Sequence, residues 1–138
     1  MKTHSIPIRI YYEDTDAGGI TYHANYIRFG ERGRTEFLRD CGFTNSGVRD
    51  EMGVFFVVKH IEVEYHKPTR LDDLLRMDTQ IETIKNTSFI MTHKIHCEKT
   101  KDLTAELRVI LVCVDTNTLK PVRMPAAIKA KFEEGLTS

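Results

Sequence analysis

A loop rich in acids and glycines near the start of the chain holds the side chains with the clearest catalytic chemistry. It reads YYEDTDAGGITYHANY at positions 11–26, and Glu13, Asp14 and Asp16 place three carboxylates within four positions. Gly18 and Gly19 follow, and two glycines allow positive φ and leave room for a ligand to approach the main chain. Asp16 is the acid closest to this bend. We therefore predict that Asp16 is the reactive carboxylate.

His23 stands seven residues past Asp16, just ahead of a predicted helix. The first N–H groups of a helix have no partner within it and carry about half a positive charge, so a helix start attracts anions. N–H groups near His23 and Ala24 would stabilise the charge that develops on a carbonyl oxygen under attack. Asp16 would attack the carbonyl carbon itself or deprotonate a water that does so. Both routes are acyl-transfer chemistry.

Two other interpretations of this loop stay open at this point. Acids beside glycines are typical of solvated turns, and Asn25 would then only cap the helix. A metal site built from the three acids and His23 is the second, but the chain has no recurring ligand motif and no second histidine at helical spacing. Four further histidines fall in predicted strands, where surface or core roles are commoner; they are His60, His66, His93 and His96. We predict no metal site.

Composition argues against several classes of function. The 138 residues contain 20 Lys and Arg and 20 Asp and Glu, so no net charge indicates a nucleic-acid partner. The longest apolar runs are strand-sized, far below the ~20 residues that span a bilayer, and the first ten residues lack a signal-peptide core. Three cysteines without metal-ligand spacing indicate reduced thiols. We expect a cytoplasmic protein with no transmembrane segment.

The apolar pattern predicts one α+β domain over residues 1–138. Residues 5–12 alternate as a first strand, and residues 24–41 have helical periodicity. From residue 55 the period becomes two, which predicts four antiparallel strands joined by tight turns. Residues 125–136 open with a proline and predict a short C-terminal helix. This order of elements predicts an antiparallel five-stranded sheet wrapped around one long central helix.

Two glycines on the inner face of the long helix need a physical reason. Gly30 and Gly33 share that face with Tyr26 and Phe37, and each internal glycine costs about 1 kcal/mol relative to alanine. Close approach of the helix backbone to the sheet would supply the reason.

A five-stranded open sheet also leaves two unpaired edges. Exposed edges tend to pair with other chains, and edge-to-edge pairing with a second copy removes that liability. We therefore predict a homodimer.

Two segments resemble a known enzyme family. YYEDTDAGGITYHANYIRFGERGRTEFLR at positions 11–39 strongly resembles the opening of the hot-dog fold acyl-CoA thioesterases of the 4-hydroxybenzoyl-CoA thioesterase class, and most closely their Tol-Pal-associated (YbgC-type) branch. EYHKPTRLDDLL at 64–75 resembles the segment of that branch that follows the second strand. The resemblance implies a homodimer with the active site between subunits, often a dimer of dimers. It also implies hydrolysis of a coenzyme A thioester without a metal or other cofactor.

The resemblance assigns roles to individual residues. The family's essential carboxylate corresponds to Asp16, and the residue whose N–H meets the thioester oxygen corresponds to His23. Tyr12 occupies the position of a tyrosine that assists the site. In relatives with aromatic substrates a tyrosine followed by a proline takes the place of His23 and Ala24, so their presence here implies aliphatic acyl groups.

Substrate contacts are expected from the acidic loop, from the hairpin at 85–88 where relatives contact the nucleotide, and from cations that would meet the coenzyme phosphates. The candidates are Gly18, Gly19, Asn25, Lys67, Arg70, Lys85, Asn86, Thr87, Ser88 and Arg123. We expect an acyl-CoA thioesterase of lipid metabolism, with acyl carrier protein as a possible alternative carrier. The alternative from another class is a non-catalytic acyl-CoA or acyl-carrier-protein binding or scaffolding subunit.

Overall fold

Five antiparallel strands form one sheet in a computed structural model that describes residues 2–137. The strands are β1 (His4–Arg9), β2 (Val54–Tyr65), β3 (Leu74–Ile84), β4 (Ser88–Cys97) and β5 (Leu103–Asp115). Their order across the sheet is β1-β3-β4-β5-β2. Apolar side chains alternate along β3 and β4 as predicted, so that Met77, Met91 and Ile95 are buried. Met1 and Ser138, the ends of the predicted domain, lie outside the described residues.

The long helix α1 (Asn25–Asp40) packs against one face of this sheet. Its inner face carries Tyr26, Gly30, Gly33 and Phe37, all buried as predicted. A Cβ atom on Gly33 would lie 2.6 Å from the Met77 Cε and 2.8 Å from Oγ1 of a threonine on β3. The prediction that the two glycines allow close approach to the sheet is therefore confirmed.

Two further helices complete the chain, and one of them was not predicted. α3 (Ala126–Thr137) confirms the predicted C-terminal helix, with Ile128 and Phe132 buried. The unpredicted helix is α2 (Asn45–Met52), which begins where Thr44 accepts a hydrogen bond from the Gly47 N–H. Only Val48 of α2 is buried, so this segment has no apolar period to detect. No helix among residues 2–137 is long and apolar enough to cross a membrane.

The first strand is shorter than predicted and ends at Arg9 instead of residue 12. Asp14 closes a tight turn over Tyr12–Asp14, because its N–H donates to the Tyr11 carbonyl and its carboxylate accepts from the Tyr11 N–H. These two bonds take the backbone out of the sheet before residue 12.

The two ends of the sheet carry different parts of the predicted site. Arg9 pairs with Leu74 and Tyr65 pairs with Ala105, which brings the acidic loop and the start of α1 to one end, called here the loop end. The hairpin between β3 and β4 lies at the opposite end, the hairpin end. β3 has 11 residues, so the two ends are roughly 35 Å apart at a rise of about 3.3 Å per residue.

Candidate functional site

The backbone around Asp16 forms a tight turn whose glycines have separate roles. The Asp16 N–H donates to the Ile20 carbonyl over 2.9 Å, and the Asp16 carboxylate accepts from the Gly18 N–H over 2.8 Å. Gly19 has a φ of +81°, which favours glycine, whereas Gly18 serves by its size, since a Cβ there would lie 3.2 Å from the Asp16 Oδ1. The positive φ expected of both glycines therefore occurs at Gly19. Asp16 itself is exposed in the single chain.

Asp14, and not Asp16, is the acid that the fold buries. It is 3% exposed, and its carboxylate accepts hydrogen bonds from the Tyr11 N–H and from the side-chain amide of Asn25, both over 2.8 Å. Its carbonyl accepts from the Tyr22 N–H over 2.7 Å. Asp14 therefore ties the acidic loop to the first turn of α1, and Asn25, predicted to contact substrate, is buried with its amide bound to Asp14.

Thr69 joins the same structure from a third segment. Its hydroxyl lies 2.6 Å from the Thr21 hydroxyl and 2.8 Å from the Tyr26 hydroxyl, and its carbonyl accepts from the Thr21 N–H. Burial raises the pKa of Tyr26, while its hydrogen bonds to these two threonines act in the opposite direction. Sequence analysis missed Asp14 and Thr69 as positioning residues, although both lie within the segments that resemble the family.

The start of α1 presents two N–H groups that make no hydrogen bond with the described residues. Ala24 is the residue before the helix and makes no side-chain cap. Among residues 2–137, neither the backbone N–H of His23 nor that of Ala24 makes a hydrogen bond. The Tyr65 hydroxyl donates to the His23 carbonyl over 2.9 Å and so holds this backbone from the other side. The arrangement suits a site for a negatively charged oxygen.

Exposed aromatic side chains surround this helix start. The His23 imidazole is exposed and lies against the Tyr22 ring, with 4.6 Å between centroids. Tyr22 and Tyr65 are 45% and 48% exposed, and Tyr11 and Tyr12 are 61% and 82% exposed. Exposed apolar clusters of this kind mark surfaces that bind a ligand or a partner. Tyr12, the tyrosine expected to assist the site, lies in the acidic loop with its side chain open to solvent.

Two of the predicted cations also lie at the loop end. Residue Arg70 forms a backbone bridge with Ile20 of the acidic loop. Lys67 follows β2 and pairs with Asp102 over 3.1 Å. Both side chains are exposed.

The predicted nucleotide contacts lie at the other end of the same chain. The Lys85 N–H donates to the Ser88 carbonyl, and the Thr87 carbonyl accepts from the backbone of β5. The Asn86 carbonyl accepts from the N–H of Met124, which places Arg123 beside this hairpin. Within one chain the structure does not bring these residues to Asp16.

A separate cavity of about 630 Å³ lies between α1, α2 and the sheet. Its wall is mostly apolar and includes Phe55, Phe56, Phe89, Leu111 and Phe132. No residue of the acidic loop lines it. The described residues contain no group of three or more His, Cys, Asp or Glu side chains placed to hold a metal ion.

Several known thioesterases are similar to this chain. Residues 11–132 match the family model of the Thioesterase-like superfamily. Acyl-CoA thioester hydrolase YbgC of Escherichia coli is 46% identical over 129 residues, which cover 93% of this chain and 94% of that protein. Acyl-CoA thioesterase YbgC of Haemophilus influenzae is 39% identical over 128 residues, 93% of each chain. The crystal structure of a probable thioesterase from Bartonella henselae superposes with a TM-score of 0.83 at 35% identity and covers 89% of this chain and 99% of that one.

Proposed function

The chain belongs to the thioesterase-like superfamily, as predicted, and we propose from that premise that it hydrolyses acyl-CoA thioesters to a free acid and coenzyme A. The observation that carries the proposal is the pair of N–H groups on His23 and Ala24, which make no hydrogen bond within residues 2–137. They lie at the start of α1, next to the loop that holds Asp16. Thioester hydrolysis needs such donors, because the carbonyl oxygen becomes negative when its carbon is attacked.

In the proposed mechanism the thioester oxygen accepts hydrogen bonds from these two N–H groups. Loss of one such donor typically costs ~2.7–4 kcal/mol of transition-state stabilisation. Asp16 takes a proton from the water that adds to the carbonyl carbon, or adds to that carbon itself to form an anhydride that water then cleaves. In both routes the carbon–sulfur bond breaks, and the coenzyme A thiolate leaves and gains a proton.

The conformation of the acidic loop supports a role for Asp16 in this attack. Asp16 lies two residues from Asp14, whose carboxylate accepts a hydrogen bond from Asn25 in the first turn of α1. This bond holds the acidic loop beside the helix start. In the proposal Asp16 acts there, and Tyr12 and the His23 side chain would help to orient substrate or water.

A homodimer would complete the site. The outer edge of β2 has no partner strand within residues 2–137. Antiparallel pairing of two such edges about a two-fold axis would bring the hairpin end of one subunit beside the loop end of the other. The hairpin at 85–88 and Arg123 would then meet the coenzyme phosphates together with Lys67 and Arg70 of the other subunit. A dimer of dimers is compatible with this pairing.

The remaining parts of the proposal come from the resemblance. We propose aliphatic acyl groups as substrates, since His23 and Ala24 replace the tyrosine and proline of the relatives with aromatic substrates. We propose catalysis without a metal or other cofactor, a role in lipid metabolism linked to the Tol-Pal system, and acyl carrier protein as a second acyl donor. Action in the cytoplasm is proposed from the sequence pattern, which has no signal-peptide core and no bilayer-spanning run.

An assay on short, long and aromatic acyl-CoAs tests the proposal, with hydrolysis measured as the release of the coenzyme A thiol. We expect Asp16→Asn to lower kcat by roughly 100- to 10,000-fold, the usual contribution of a general base, with the Kd for coenzyme A unchanged. Glu13→Gln, which removes an exposed acid of the same loop, is the matched control and should retain activity. An undetectable rate in the unaltered protein on every substrate would contradict the proposal and favour a binding or scaffolding subunit.

A further inference from the structure

Thr69 lies in the connection between β2 and β3, and its hydroxyl contacts both halves of the proposed site. The Thr69 hydroxyl is 2.6 Å from that of Thr21, which belongs to the acidic loop five positions after Asp16. It is also 2.8 Å from the hydroxyl of Tyr26, which belongs to the first turn of α1 three positions after His23. One side chain therefore joins the loop of the proposed catalytic acid to the helix start that carries the two donor N–H groups.

The directions of these hydrogen bonds follow from the one partner that cannot donate. The Thr69 carbonyl accepts from the Thr21 hydroxyl over 3.2 Å, so the Thr21 proton is committed to that bond. The Thr69 hydroxyl must then donate to the Thr21 hydroxyl oxygen and accept from the Tyr26 hydroxyl. In this direction each of the three hydroxyl protons has an acceptor. These three side chains, in the order Tyr26, Thr69 and Thr21, are called here the hydroxyl chain.

Solvent is excluded from the hydroxyl chain. Thr21, Tyr26 and Thr69 are all buried, and Thr69 is 1% exposed. Water therefore cannot replace a lost partner without a rearrangement, and an unpaired buried hydroxyl costs free energy. The hydroxyl chain thus favours the one relative position of the acidic loop and the helix start in which all three bonds are made.

The backbone beside Thr69 is itself held in place. The Arg70 N–H donates to the Asp73 carboxylate over 2.8 Å, and the Ile10 N–H donates to the Asp73 carbonyl over 2.9 Å. Asp72 has a φ of +71°, and its N–H donates to the Ile10 carbonyl over 2.9 Å. Residue Ile10 directly follows β1 and is fully buried. The Thr69 hydroxyl is therefore presented from a segment that is fixed to the sheet.

We propose that Thr69 is a positioning residue for acyl-CoA hydrolysis, and the proposal rests on the proposed thioesterase function. Its hydroxyl sets the distance from Asp16 to the N–H groups of His23 and Ala24. Attack on a thioester requires the attacking group and the oxyanion donors to meet the same carbonyl, and small errors of placement lower the rate steeply. Because Thr69 is buried and acts through these two halves, loss of its hydroxyl should lower kcat and leave KM nearly unchanged.

Steady-state kinetics of Thr69→Val tests the proposal, because valine has the shape of threonine and lacks the hydroxyl. With the acyl-CoA that the unaltered protein hydrolyses fastest, we expect kcat to fall at least about threefold, the equivalent of one hydrogen bond, and KM to change by less than about twofold. Thr69→Ser keeps the hydroxyl and is the matched control. It should retain a kcat within about twofold of that of the unaltered protein.

A double-variant cycle tests whether the hydroxyls act as one chain. Thr21→Val removes the other threonine hydroxyl and should lower kcat as Thr69→Val does. The double variant should then be no slower than the slower single variant, since a chain that is already broken loses little when it is broken again. If the two reductions in kcat multiply, the hydroxyls act independently and the proposal is wrong.

The other results separate this proposal from the proposed function. If the unaltered protein hydrolyses acyl-CoA and Thr69→Val has the same kcat, Thr69 does not position the site, although the thioesterase function stands. An equal fall in Thr69→Val and Thr69→Ser would assign the effect to packing and would overturn the proposal too. If the unaltered protein hydrolyses no substrate of the panel, the proposed function fails first and this proposal fails with it.

Denaturant unfolding of each variant shows whether kcat is measured on folded protein. A lower free energy of unfolding with an unchanged kcat would give Thr69 a structural role only and would overturn the proposal. If Thr69→Val does not fold, Tyr26→Phe decides, because it removes only the first donor of the hydroxyl chain. We expect Tyr26→Phe to lower kcat at least about twofold with KM nearly unchanged, and an unchanged kcat contradicts the proposal.

Discussion

The side-chain amide of Asn25, in the first turn of α1, donates a 2.8 Å hydrogen bond to the buried carboxylate of Asp14. The contact joins the acidic loop to the helix start across 11 residues of chain. The same carboxylate accepts from the Tyr11 N–H. The two halves of the proposed site are therefore held together by a neighbour of Asp16, and Asp16 itself is left exposed.

Substitution of Asn25 should reveal how much this contact stabilises the fold. Asn25→Asp would place a second carboxylate against the buried one, and we expect it to lower the free energy of unfolding by about 3–5 kcal/mol, as uncompensated buried charges do. Asn25→Ala removes one donor and should cost about 1–3 kcal/mol. Denaturant unfolding at pH 7 measures both values. If the aspartate variant is as stable as the alanine variant, the two carboxylates do not meet in the fold.

The hydroxyl of Tyr65 should support catalysis through the backbone that it holds. Tyr65→Phe removes the hydrogen bond to the His23 carbonyl, and we expect kcat on an acyl-CoA to fall roughly 2- to 10-fold, the equivalent of one hydrogen bond of about 0.5–1.5 kcal/mol. Tyr11→Phe removes a more exposed hydroxyl and serves as the control. Equal rates for Tyr65→Phe and the unaltered protein would show that this bond does not position the helix start.

Alanine at Gly33 should destabilise the protein, although alanine favours helices. Its Cβ would lie 2.8 Å from the Oγ1 of Thr79, a β-branched side chain with little freedom to move, and overpacking of this kind costs typically ~1–3 kcal/mol. Gly135 of α3 is the matched control, because the nearest atoms to its Cβ lie at 3.9 Å. Gly135→Ala should be neutral or stabilising by up to about 1 kcal/mol. Thermal unfolding of the two variants compares them, and a stable Gly33→Ala would contradict the close packing of α1.

Acid should destabilise the fold through His93 before the carboxylates titrate. The pKa of His93 is about 3 in the folded chain against 6.5 when unfolded, so between these values the unfolded state binds the extra proton. The contribution of the neutral His93 ring to the free energy of unfolding is complete above pH 6.5 and is lost as the pH falls. The free energy of unfolding should then fall with a slope that approaches about 1.4 kcal/mol per pH unit near pH 5.

Denaturant unfolding from pH 7.5 to 5 measures this slope. The charged group that faces the His93 ring is Arg34, which lies at Nε2. On the other side of the ring, the Thr79 hydroxyl accepts a hydrogen bond from the Nδ1–H. His93→Gln should flatten the slope in this window, whereas His60→Gln, at an exposed position, should leave it in place. If His93→Gln shows the same pH slope as the unaltered protein, the slope arises from other titratable groups.

Local periodicity predicted most of the fold. Alternation placed β3, β4 and β5 on the chain, and the four-residue spacing of Tyr26 and Gly30 placed the inner face of α1. These elements were predictable because each buries one continuous face, and burial of one face imposes a period on the sequence. α2 buries Val48 alone, so its sequence carries no such period and the helix was missed.

The site was predictable in part for a different reason. Asp16, His23 and Ala24 lie in one short segment, and the resemblance to known thioesterases marks them directly. Thr69 and Tyr65 form hydrogen bonds with that segment although they lie 42 or more residues away in the sequence. No local sequence pattern predicts a hydrogen bond over such a separation.

The sequence by itself determined the α+β class, the long helix with its glycines, the family, and the segment in which the chemistry is proposed to occur. Only the tertiary structure decided that Asp14 is the buried acid, that the hairpin at 85–88 lies at the far end of the sheet from Asp16, and that Arg34 meets a neutral His93 beside a cavity. The physical reason is that period and turn chemistry are properties of neighbouring residues. Burial, charge balance and the protonation of a ring depend on which distant side chains exclude water from the same place.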